Sequence, residues 1–339
     1  MKVWAYAALN SKLRGMRAKR LRPEVLPALV PDPSALRSAL PQAGYPEILA
    51  DPSIPLEDWE RGLWMGMARI WESLIRFARG NVKAFLQALL FRLDLHNVHT
   101  VLSALAAFGR EPEISPLRLI DTGKYGLLRR KALAEVRDFP SLGQLLRHTF
   151  LGKAYWEGLR EFEVRGDLLA LSTALDRAYF AYLWDLGGQL GVEDRTLCHK
   201  LLREYGAVQD IIAFLRLRFL RKLGNRESLS YLVAGGKVLP DRPFLDAPDS
   251  LNEAFGKLTV ALLPGLSISL TEPFSLEEAE RILWRTFYSE CGRAFRGHPF
   301  HIGAPLAQFF LLEREVRALI AAAEGRALGL TEARIKPYL

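Results

Sequence analysis

The sequence has little cysteine, and this scarcity excludes disulfide-rich scaffolds and cysteine-based zinc modules. Its two cysteines, Cys198 and Cys291, lie far apart in a chain of 339 residues. Their positions match neither a zinc-ligand spacing nor a thioredoxin motif, and they could pair only if the fold brought them together. A reduced, cytoplasmic protein is therefore the expectation, since disulfides persist mainly in oxidising compartments.

Long apolar runs are also missing. The longest, such as FLQALLF at 85–91, fall well short of the roughly 20 apolar residues that a membrane-spanning helix needs. The amino terminus offers only Val3 to Leu9 before basic residues begin, which is a poor signal peptide. We expect no membrane span, although a position beside a membrane stays open.

Acidic residues are fewer than basic ones, 38 against 46, which leaves a formal net charge of +8. Such a balance permits nucleic acid, an anionic membrane surface or an acidic protein as a partner, and charge alone does not choose among them. Half of the residues are hydrophobic and a quarter are charged, as in folded soluble proteins. The length suits two or three domains, or one elongated repeat assembly.

Helical periodicity dominates what is present, so the sequence predicts an all-α protein. The segment 56–80 sets an apolar stripe at helical spacing, and 167–190 behaves similarly and is closed by Gly187 and Gly188. The segment 275–295 opens with Ser275, a residue that caps helices. Prolines crowd residues 23–55, which should be loops with short helices between them. The stripe of 56–80 comprises Trp59, Leu63, Met67, Ile70, Leu74 and Phe77.

Three weak patterns recur in one order and predict a degenerate repeat of about a hundred residues. The first is an apolar helix pattern anchored on Leu13, Val98, Val208 and Val316. The second is a Gly-Lys turn, in LIDTGKYG (119–126) and LVAGGKVL (232–239). The third is a capped helix start, in segments 32–40, 138–146 and 246–255. Predicted boundaries are 1–90 for a first repeat packed with the C-terminal helices, 91–200 for a second, 201–299 for a third, and 300–339 for the C-terminal helices closing the assembly.

Reactive constellations are weak throughout, so we expect no catalytic, cofactor-binding or metal-binding residues. His96 and His99 are three apart, whereas a helical zinc pair more often uses a spacing of four; His298 and His301 are separated by a proline. The Gly-Lys turns lack the hydroxyl residue of a phosphate loop and are better explained as a helix-terminating glycine followed by a turn. Cys198 stands beside His199, but adjacency does not make a catalytic dyad.

Two basic clusters, 12–22 and 216–226, interleave Lys and Arg with apolar residues at helical spacing. One interpretation is an amphipathic helix with a basic outer face. The other is a surface that lies against an acidic protein or lipid headgroups. RNA binding is an alternative without a motif to support it.

Four motifs follow one another along the chain: YAALNSKLRGMRAKRL at the start, FRLDLHNVHTVL with Asp94 and Asn97, the two Gly-Lys turns, and the C-terminal PFHIG…EREVRALI…PYL. Through these motifs the chain resembles, over essentially its whole length, the C-type (d-type in eukaryotes) component of the rotary V-type and archaeal-type ATPase/ATP synthase. They are similar to that family's first helix, its Asp-x-x-Asn helix, its paired Gly-Lys turns and its C-terminal signature. Two departures are Ala318, where the family often has Asn, and the second repeat, which has Glu204 and Ala207 in place of Asp and Asn.

The resemblance implies three similar all-helical domains around a pseudo-threefold axis, which together form a funnel. It implies a non-catalytic subunit, peripheral on the cytoplasmic face of the membrane, that seats the central axle, subunits D and F, on the proteolipid rotor ring and transmits torque. It implies no cofactor, nucleic acid or small-molecule substrate. As a separate hypothesis, the basic excess would serve contacts with acidic axle residues, proteolipid loops or lipid headgroups. Basic residues expected to face partners are Arg14, Arg17, Arg216, Arg218, Arg314 and Arg317.

Two other function classes stay open on sequence grounds. A helical scaffold would bind RNA or another acidic partner through its basic faces, with an affinity that falls as salt rises. A helical enzyme would build its pocket from residues distant in sequence, and turnover of a substrate by the isolated chain would identify it.

Overall fold

The computed structural model describes residues 2–21, 33–51, 53–108, 118–266, 275–296, 298–331 and 335. The prediction of an all-α protein is confirmed: in these ranges helices carry the fold, and the only β-type pairing is an isolated bridge between Gly235 and Leu239. The helices are α1 (Lys2–Lys19), α2 (Pro33–Gln42), α3 (Leu56–Ile75), α4 (Gly80–Phe108), α5 (Arg130–Ala134), α6 (Phe139–Leu146), α7 (Gly152–Arg165), α8 (Leu168–Gly188), α9 (Val192–Phe219), α10 (Asn225–Leu229), α11 (Arg242–Leu245), α12 (Leu251–Leu262), α13 (Leu276–Arg293) and α14 (Gly303–Ala327).

The chain divides into two compact units. Unit 1 comprises residues 1–138 and 297–339, and unit 2 comprises residues 139–296. Unit 1 is therefore built from both ends of the chain, with α14 packed on α1, α3 and α4. The division into two units does not test the predicted repeats, their boundaries or the pseudo-threefold funnel. All three stay predictions.

The core of unit 1 lies where α3, α4 and α14 meet. Trp71 of α3 is fully buried, and its indole N–H donates to the carbonyl oxygen of Leu86 in α4 at 2.8 Å. Its ring meets Phe309 of α14 edge to face, with 4.9 Å between ring centroids. A buried indole needs such an acceptor, because an unpaired buried donor is costly. Trp71 thus fixes the mutual positions of three helices.

The core of unit 2 is organised around α9, which packs against α8, α12 and α13. Before it, α7 and α8 form a tight helical hairpin. Gly166 ends α7 in the left-handed conformation (φ 70°), and the Asp167 side chain accepts the Leu169 amide at 3.0 Å to begin α8. Gly158 lets α7 approach α8 closely, since a Cβ there would lie 2.9 Å from the side chain of Leu171.

Most helix predictions are confirmed. The segments 32–40, 138–146 and 246–255 contain the starts of α2, α6 and α12, and α8 ends at Gly188 as predicted. Ser275 caps α13, where its hydroxyl oxygen accepts the Glu278 amide at 3.1 Å. The proline-rich region contains α2 and a 3₁₀ turn at Glu47–Ala50, whereas residues 22–32 lie outside the described residues. The stretch that carries His96 and His99 is a packing helix, part of α4, with Val98, Leu102 and Leu105 buried.

Two predictions are wrong in detail. The apolar stripe of 56–80 includes Phe77, but α3 ends at Ile75 and the Phe77 side chain is 44% exposed. The Gly-Lys turns do not follow helix ends as predicted. Instead Gly123 begins a 3₁₀ turn (Gly123–Tyr125), and Gly236 lies in a loop well beyond the end of α10. Both glycines do have positive φ, 69° and 76°, which explains the residue type.

None of the helices in the described residues combines the length and the apolarity that crossing a bilayer requires.

Candidate interaction surfaces

The first Gly-Lys loop is tied to α4 by a buried carboxylate. Asp94 is fully buried; its Oδ1 accepts the Thr122 hydroxyl at 2.8 Å and its Oδ2 accepts the Leu127 amide at 2.7 Å. One turn along α4, Asn97 exchanges two hydrogen bonds with the backbone of Ile120, both 2.8 Å. The Asp-x-x-Asn pair therefore satisfies the polar groups of a loop that crosses the helix, as buried backbone requires.

Gly126 is required by this arrangement. A Cβ at Gly126 would lie 2.0 Å from the hydroxyl oxygen of Thr122, so any side chain would displace the group that donates to Asp94. The loop can approach α4 only because this residue has no side chain.

The second Gly-Lys loop is tied to α9 in the same way. Asp210 is fully buried and accepts the Val233 amide at 2.7 Å and the Ala234 amide at 2.9 Å. Arg177 of α8 holds the start of this loop, since it donates to the carbonyl oxygens of Leu232 (2.7 Å) and Ser230 (3.0 Å). Arg177 here plays the part that Asn97 plays in unit 1.

Asp210 was not predicted from the sequence. The repeat pattern matches Glu204 with Asp94, whereas the carboxylate that binds the loop lies six residues further along α9. A usable signal was present: Asp94 precedes Lys124 by 30 residues and Asp210 precedes Lys237 by 27. Glu204 is instead a buried acid whose Oε1 lies 3.8 Å from the Lys200 ammonium.

Burial dominates the protonation of both loop-binding aspartates. Loss of solvation raises the pKa of Asp94 to about 6, against the opposing effect of its hydrogen bonds with Leu127, Thr122 and Leu128. Burial likewise raises the pKa of Asp210 to about 7, although three backbone amides and the Arg177 guanidinium favour its charged form. The two units therefore share a buried acid of similar chemistry.

The acids of the C-terminal EREVR motif are structural. Glu315 of α14 accepts the Arg20 Nε at 2.9 Å and the Tyr45 hydroxyl at 3.1 Å, and Arg20 Nη2 donates to that hydroxyl oxygen at 2.8 Å. The side chains of Arg20 and Glu315 are only 6% and 7% exposed. This ion pair ties the chain just after α1 to α14, and Asn10 of α1 donates to the carbonyl oxygen of Pro299, shortly before α14 begins.

Glu313 forms a second buried cluster on α14. Its Oε1 accepts Arg92 Nε at 2.9 Å and Arg317 Nη2 at 2.8 Å. Burial alone would raise the pKa of Glu313, but the two guanidinium groups outweigh it and lower the pKa to about 2. Arg317 also lies over the Trp64 ring, 5.9 Å from its centroid. Glu313 is thus ionised in the folded protein and links α4 to α14.

The six arginines predicted to face partners lie in different surroundings. Arg14 and Arg17 are exposed on α1, and Arg314 is half-buried on α14. Arg216 pairs with Glu280, and Arg218 pairs with Asp249 at 2.6 Å while donating to the carbonyl oxygen of Leu223. Arg317 forms the ion pair with Glu313 described above, and its side chain is 57% exposed. Internal ion pairs thus occupy Arg216, Arg218 and Arg317, and contact of any of the six with a partner stays a prediction.

The histidines and cysteines that the sequence drew attention to lie in ordinary packing environments where the structure describes them. Within the described ranges, no three His, Cys, Asp or Glu side chains come together in a group able to hold a metal ion. His96 lies beside Trp64, with 6.2 Å between the ring centroids. His199 stacks on Trp184 at 4.0 Å. Burial raises the pKa of Cys198, which is the opposite of what an activated thiol needs.

Comparison with known proteins gives a consistent result along the chain. The family model for the ATP synthase (C/AC39) subunit matches residues 9–338. The chain is similar to the C subunit of the A-type ATP synthase from Thermococcus onnurineus, with 25% identity over 98% of this chain and 90% of that protein. The same-named protein of Thermococcus kodakarensis is also 25% identical, over 98% and 90%. That of Halorubrum lacusprofundi is 24% identical over 83% of this chain and 80% of its own length.

Proposed function

The chain belongs to the ATP synthase (C/AC39) subunit family, and we propose that it is a non-catalytic central-stalk subunit of a rotary ATPase/ATP synthase. In this role it seats the axle subunits D and F on the proteolipid ring and transmits torque between them. Its place is peripheral, on the cytoplasmic face of the membrane. Ion flow through the ring would turn the axle for ATP synthesis, and ATP hydrolysis would drive the reverse.

The observation that carries the proposal is the extent of the family match, residues 9–338 of 339. The relatives are aligned over most of their own length as well, so the likeness involves the whole subunit and not a shared module. Each of these relatives is named as a subunit of an A-type ATP synthase.

The side-chain chemistry supports a mechanical role. A protein that transmits torque needs helices that do not slide on one another. Close packing of side chains and hydrogen bonds between buried polar groups resist such sliding. Trp71, the Arg20–Glu315 pair and the Glu313 cluster each bridge separate segments of unit 1. Asp94 and Asp210 hold their loops against long helices.

Native mass spectrometry of the detergent-extracted complex tests the proposal. We expect one copy of this chain for each D, F and proteolipid ring, with release of the chain together with D and F when the complex is split. Recovery of intact complexes that lack the chain, or of several copies in each complex, would contradict the proposal.

A further inference from the structure

Basic residues surround the exposed Phe77 at one corner of unit 1. It lies where α3 gives way to α4 and where the first Gly-Lys loop passes. We define this corner as Arg76, Phe77, Arg79, Lys83 and Lys124. None of these residues belongs to the two basic clusters that the sequence singles out at 12–22 and 216–226.

The loop and the helix junction are in direct contact. The Lys83 and Lys124 ammonium groups lie 5.4 Å and 5.0 Å from the centroid of the Tyr125 ring. Gln87 of α4 donates to the Tyr125 carbonyl oxygen at 3.2 Å. A Cβ built at Gly123 would be 3.0 Å from Glu72 of α3. These contacts bring Lys124 to the same corner as Arg76, Arg79 and Lys83.

The cations of the corner are weakly neutralised by the chain itself. In the described part of the protein, Arg79, Lys83 and Lys124 form no ion pair, and Arg76 reaches only Glu72, at 3.5 Å. Two acids lie near: Glu72, and Asp121, which accepts the Gly123 amide at 3.1 Å. The corner therefore keeps an excess of positive charge.

The second Gly-Lys loop offers the matching contrast. Its cations are Lys237, which pairs with Asp185 at 2.9 Å, and Arg242, which pairs with Asp246 at 3.3 Å. Residues 118–131 of the first loop and its flank carry five cations and one acid, and those five form no ion pair among the described residues. Of the two Gly-Lys loops, the first therefore carries cations without an acidic partner among the described residues, whereas the cations of the second are paired.

An exposed aromatic ring among unpaired cations fits the surface of an anionic bilayer. Lys and Arg are attracted to acidic headgroups by about 1 kcal/mol each, and an aromatic ring at headgroup depth gains by leaving water. Phe77 is 44% exposed and stands between Arg76 and Arg79 in sequence. A purely electrostatic partner would need the cations but would have no use for the exposed ring.

We infer that this corner of unit 1 binds anionic phospholipid headgroups, with Phe77 entering the interfacial layer and Arg79, Lys83 and Lys124 neutralising the lipid charge. The inference rests on the proposed function, because a subunit of a membrane rotor is held near a bilayer. It adds a lipid surface to the protein partners and names the residues that meet it.

Sedimentation of the isolated full-length chain with vesicles tests the inference. We use vesicles of 70% phosphatidylcholine with 30% phosphatidylglycerol, and vesicles of phosphatidylcholine alone. Lys83→Gln with Lys124→Gln should lower the partition coefficient on anionic vesicles about thirtyfold, from two cations at about 1 kcal/mol each. Phe77→Ala should lower it about fivefold. Raising the salt concentration should weaken binding of the wild type.

The matched control removes the same two charges from unit 2. Lys200 and Lys237 are exposed lysines beside Glu204 and Asp185, and Lys200→Gln with Lys237→Gln should change vesicle binding by less than twofold. Thermal unfolding of each variant checks folding, and Arg79→Gln with Lys124→Gln serves as a second test pair.

The inference would be overturned by wild type that does not bind anionic vesicles, by equal binding to neutral vesicles, or by an equal loss in the control. Loss of binding to RNA or polyglutamate by the corner variants, with vesicle binding unchanged, would assign the corner to a macromolecular polyanion instead. Vesicle binding is measured on the isolated chain, whereas assembly with D, F and the ring is measured by native mass spectrometry, so either proposal can fail without the other.

Discussion

Unit 1 and unit 2 each carry a Gly-Lys loop bound to a buried aspartate on a long central helix, but the two loops differ outside that tie. In unit 1 Asp94 binds the loop with help from Asn97, while in unit 2 Asp210 does so with help from Arg177. The exposed lysine of the first loop has no acidic partner in the described residues, whereas that of the second pairs with Asp185.

This difference separates what the fold requires from what it leaves open. Backbone amides that turn inward must find acceptors, so the carboxylate is needed in both units. An exposed lysine contributes little to stability, since surface ion pairs are typically worth about 0–1 kcal/mol. The surface of each loop can therefore specialise while its attachment stays the same.

The largest effect should follow from removing Glu313, whose cluster lies in unit 1. Glu313→Ala leaves Arg92 without its buried counter-charge, and we expect a loss of about 4 kcal/mol in the free energy of unfolding. Chemical denaturation monitored by fluorescence measures it. The control is Glu280→Ala, which breaks the exposed Arg216 pair of unit 2 and should cost under about 1 kcal/mol. Equal losses would mean that the buried cluster adds nothing beyond a surface pair.

As pH rises, the contribution of Glu313 to the free energy of unfolding should increase, whereas the contributions of Asp94 and Asp210 should decrease. The pKa of Glu313 is lowered in the folded state, so its stabilisation is full above its ordinary pKa of 4.5 and is lost as pH falls toward 2. The pKa values of Asp94 and Asp210 are raised from 3.8 to about 6 and about 7. Their contribution is therefore most favourable below about pH 4 and declines as pH rises toward 7. Denaturation of the wild type and of each acid-to-alanine variant across this pH range measures the three contributions.

The paired aspartates give the sharpest test of the shared device. Asp94→Ala leaves the part-buried Leu127 amide without its acceptor, and Asp210→Ala does the same to the buried Ala234 amide. We expect each change to cost about 3 kcal/mol. Hydrogen exchange should show faster exchange at Leu127 in the first variant and at Val233 and Ala234 in the second. Asp249→Ala, at an exposed acid, is the control. A neutral result at one aspartate only would show that the two attachments are not equivalent.

A smaller effect is expected at Gly126. Gly126→Ala pushes a methyl group into the Thr122 hydroxyl, and we expect a loss of about 2 kcal/mol in unfolding free energy. Gly15→Ala is the matched change in the same unit: a Cβ at Gly15 meets nothing within 4 Å, so alanine should stabilise α1 by up to about 1 kcal/mol. Calorimetry of both variants checks the difference, and a tolerated Gly126→Ala would contradict the described loop geometry.

The smallest effect concerns the two loop lysines. Lys237→Gln removes the partner of Asp185 and should cost about 0.5 kcal/mol. Lys124→Gln breaks no ion pair among the described residues and removes the contact of its ammonium group with the Tyr125 ring, so we expect a loss of no more than about 0.5 kcal/mol. Careful denaturation of both variants in one buffer is sufficient. A loss for Lys124→Gln well above that for Lys237→Gln would show that this lysine has a further structural partner, and would weaken its assignment to an external surface.

The helices could be predicted from the sequence because their apolar period survives packing, as in α3, α8 and α13. The prediction failed at Phe77 because the period continues past Ile75, where the hydrogen-bonded helix ends. The apolar periodicity of a sequence shows which side chains share one face of a helix. It does not show where the helix ends or where that face ceases to be buried.

The Asp-x-x-Asn motif at Asp94 and Asn97 could be read from the sequence, but its hydrogen bonds to the Gly-Lys loop could not. Its counterpart Asp210 lies at a different position along its helix, so the repeat pattern did not indicate it. The contact of Tyr45 with Glu315 joins residues 270 positions apart, and no local pattern encodes it. Surface charge was visible only as clusters along the chain. The corner around Phe77 combines two segments that are separate in sequence, so it could be recognised only in the folded structure.

Coupling between ATP hydrolysis and ion pumping tests the central claim most directly. Vesicles that carry the proteolipid ring are mixed with the axle and the ATP-hydrolysing part of the complex, first without this chain and then with it. Without the chain we expect ATP hydrolysis with little ion transport, and adding the purified chain should restore transport. Equal transport with and without the chain, or ATP turnover by the isolated chain, would contradict the account of this protein as a mechanical coupling.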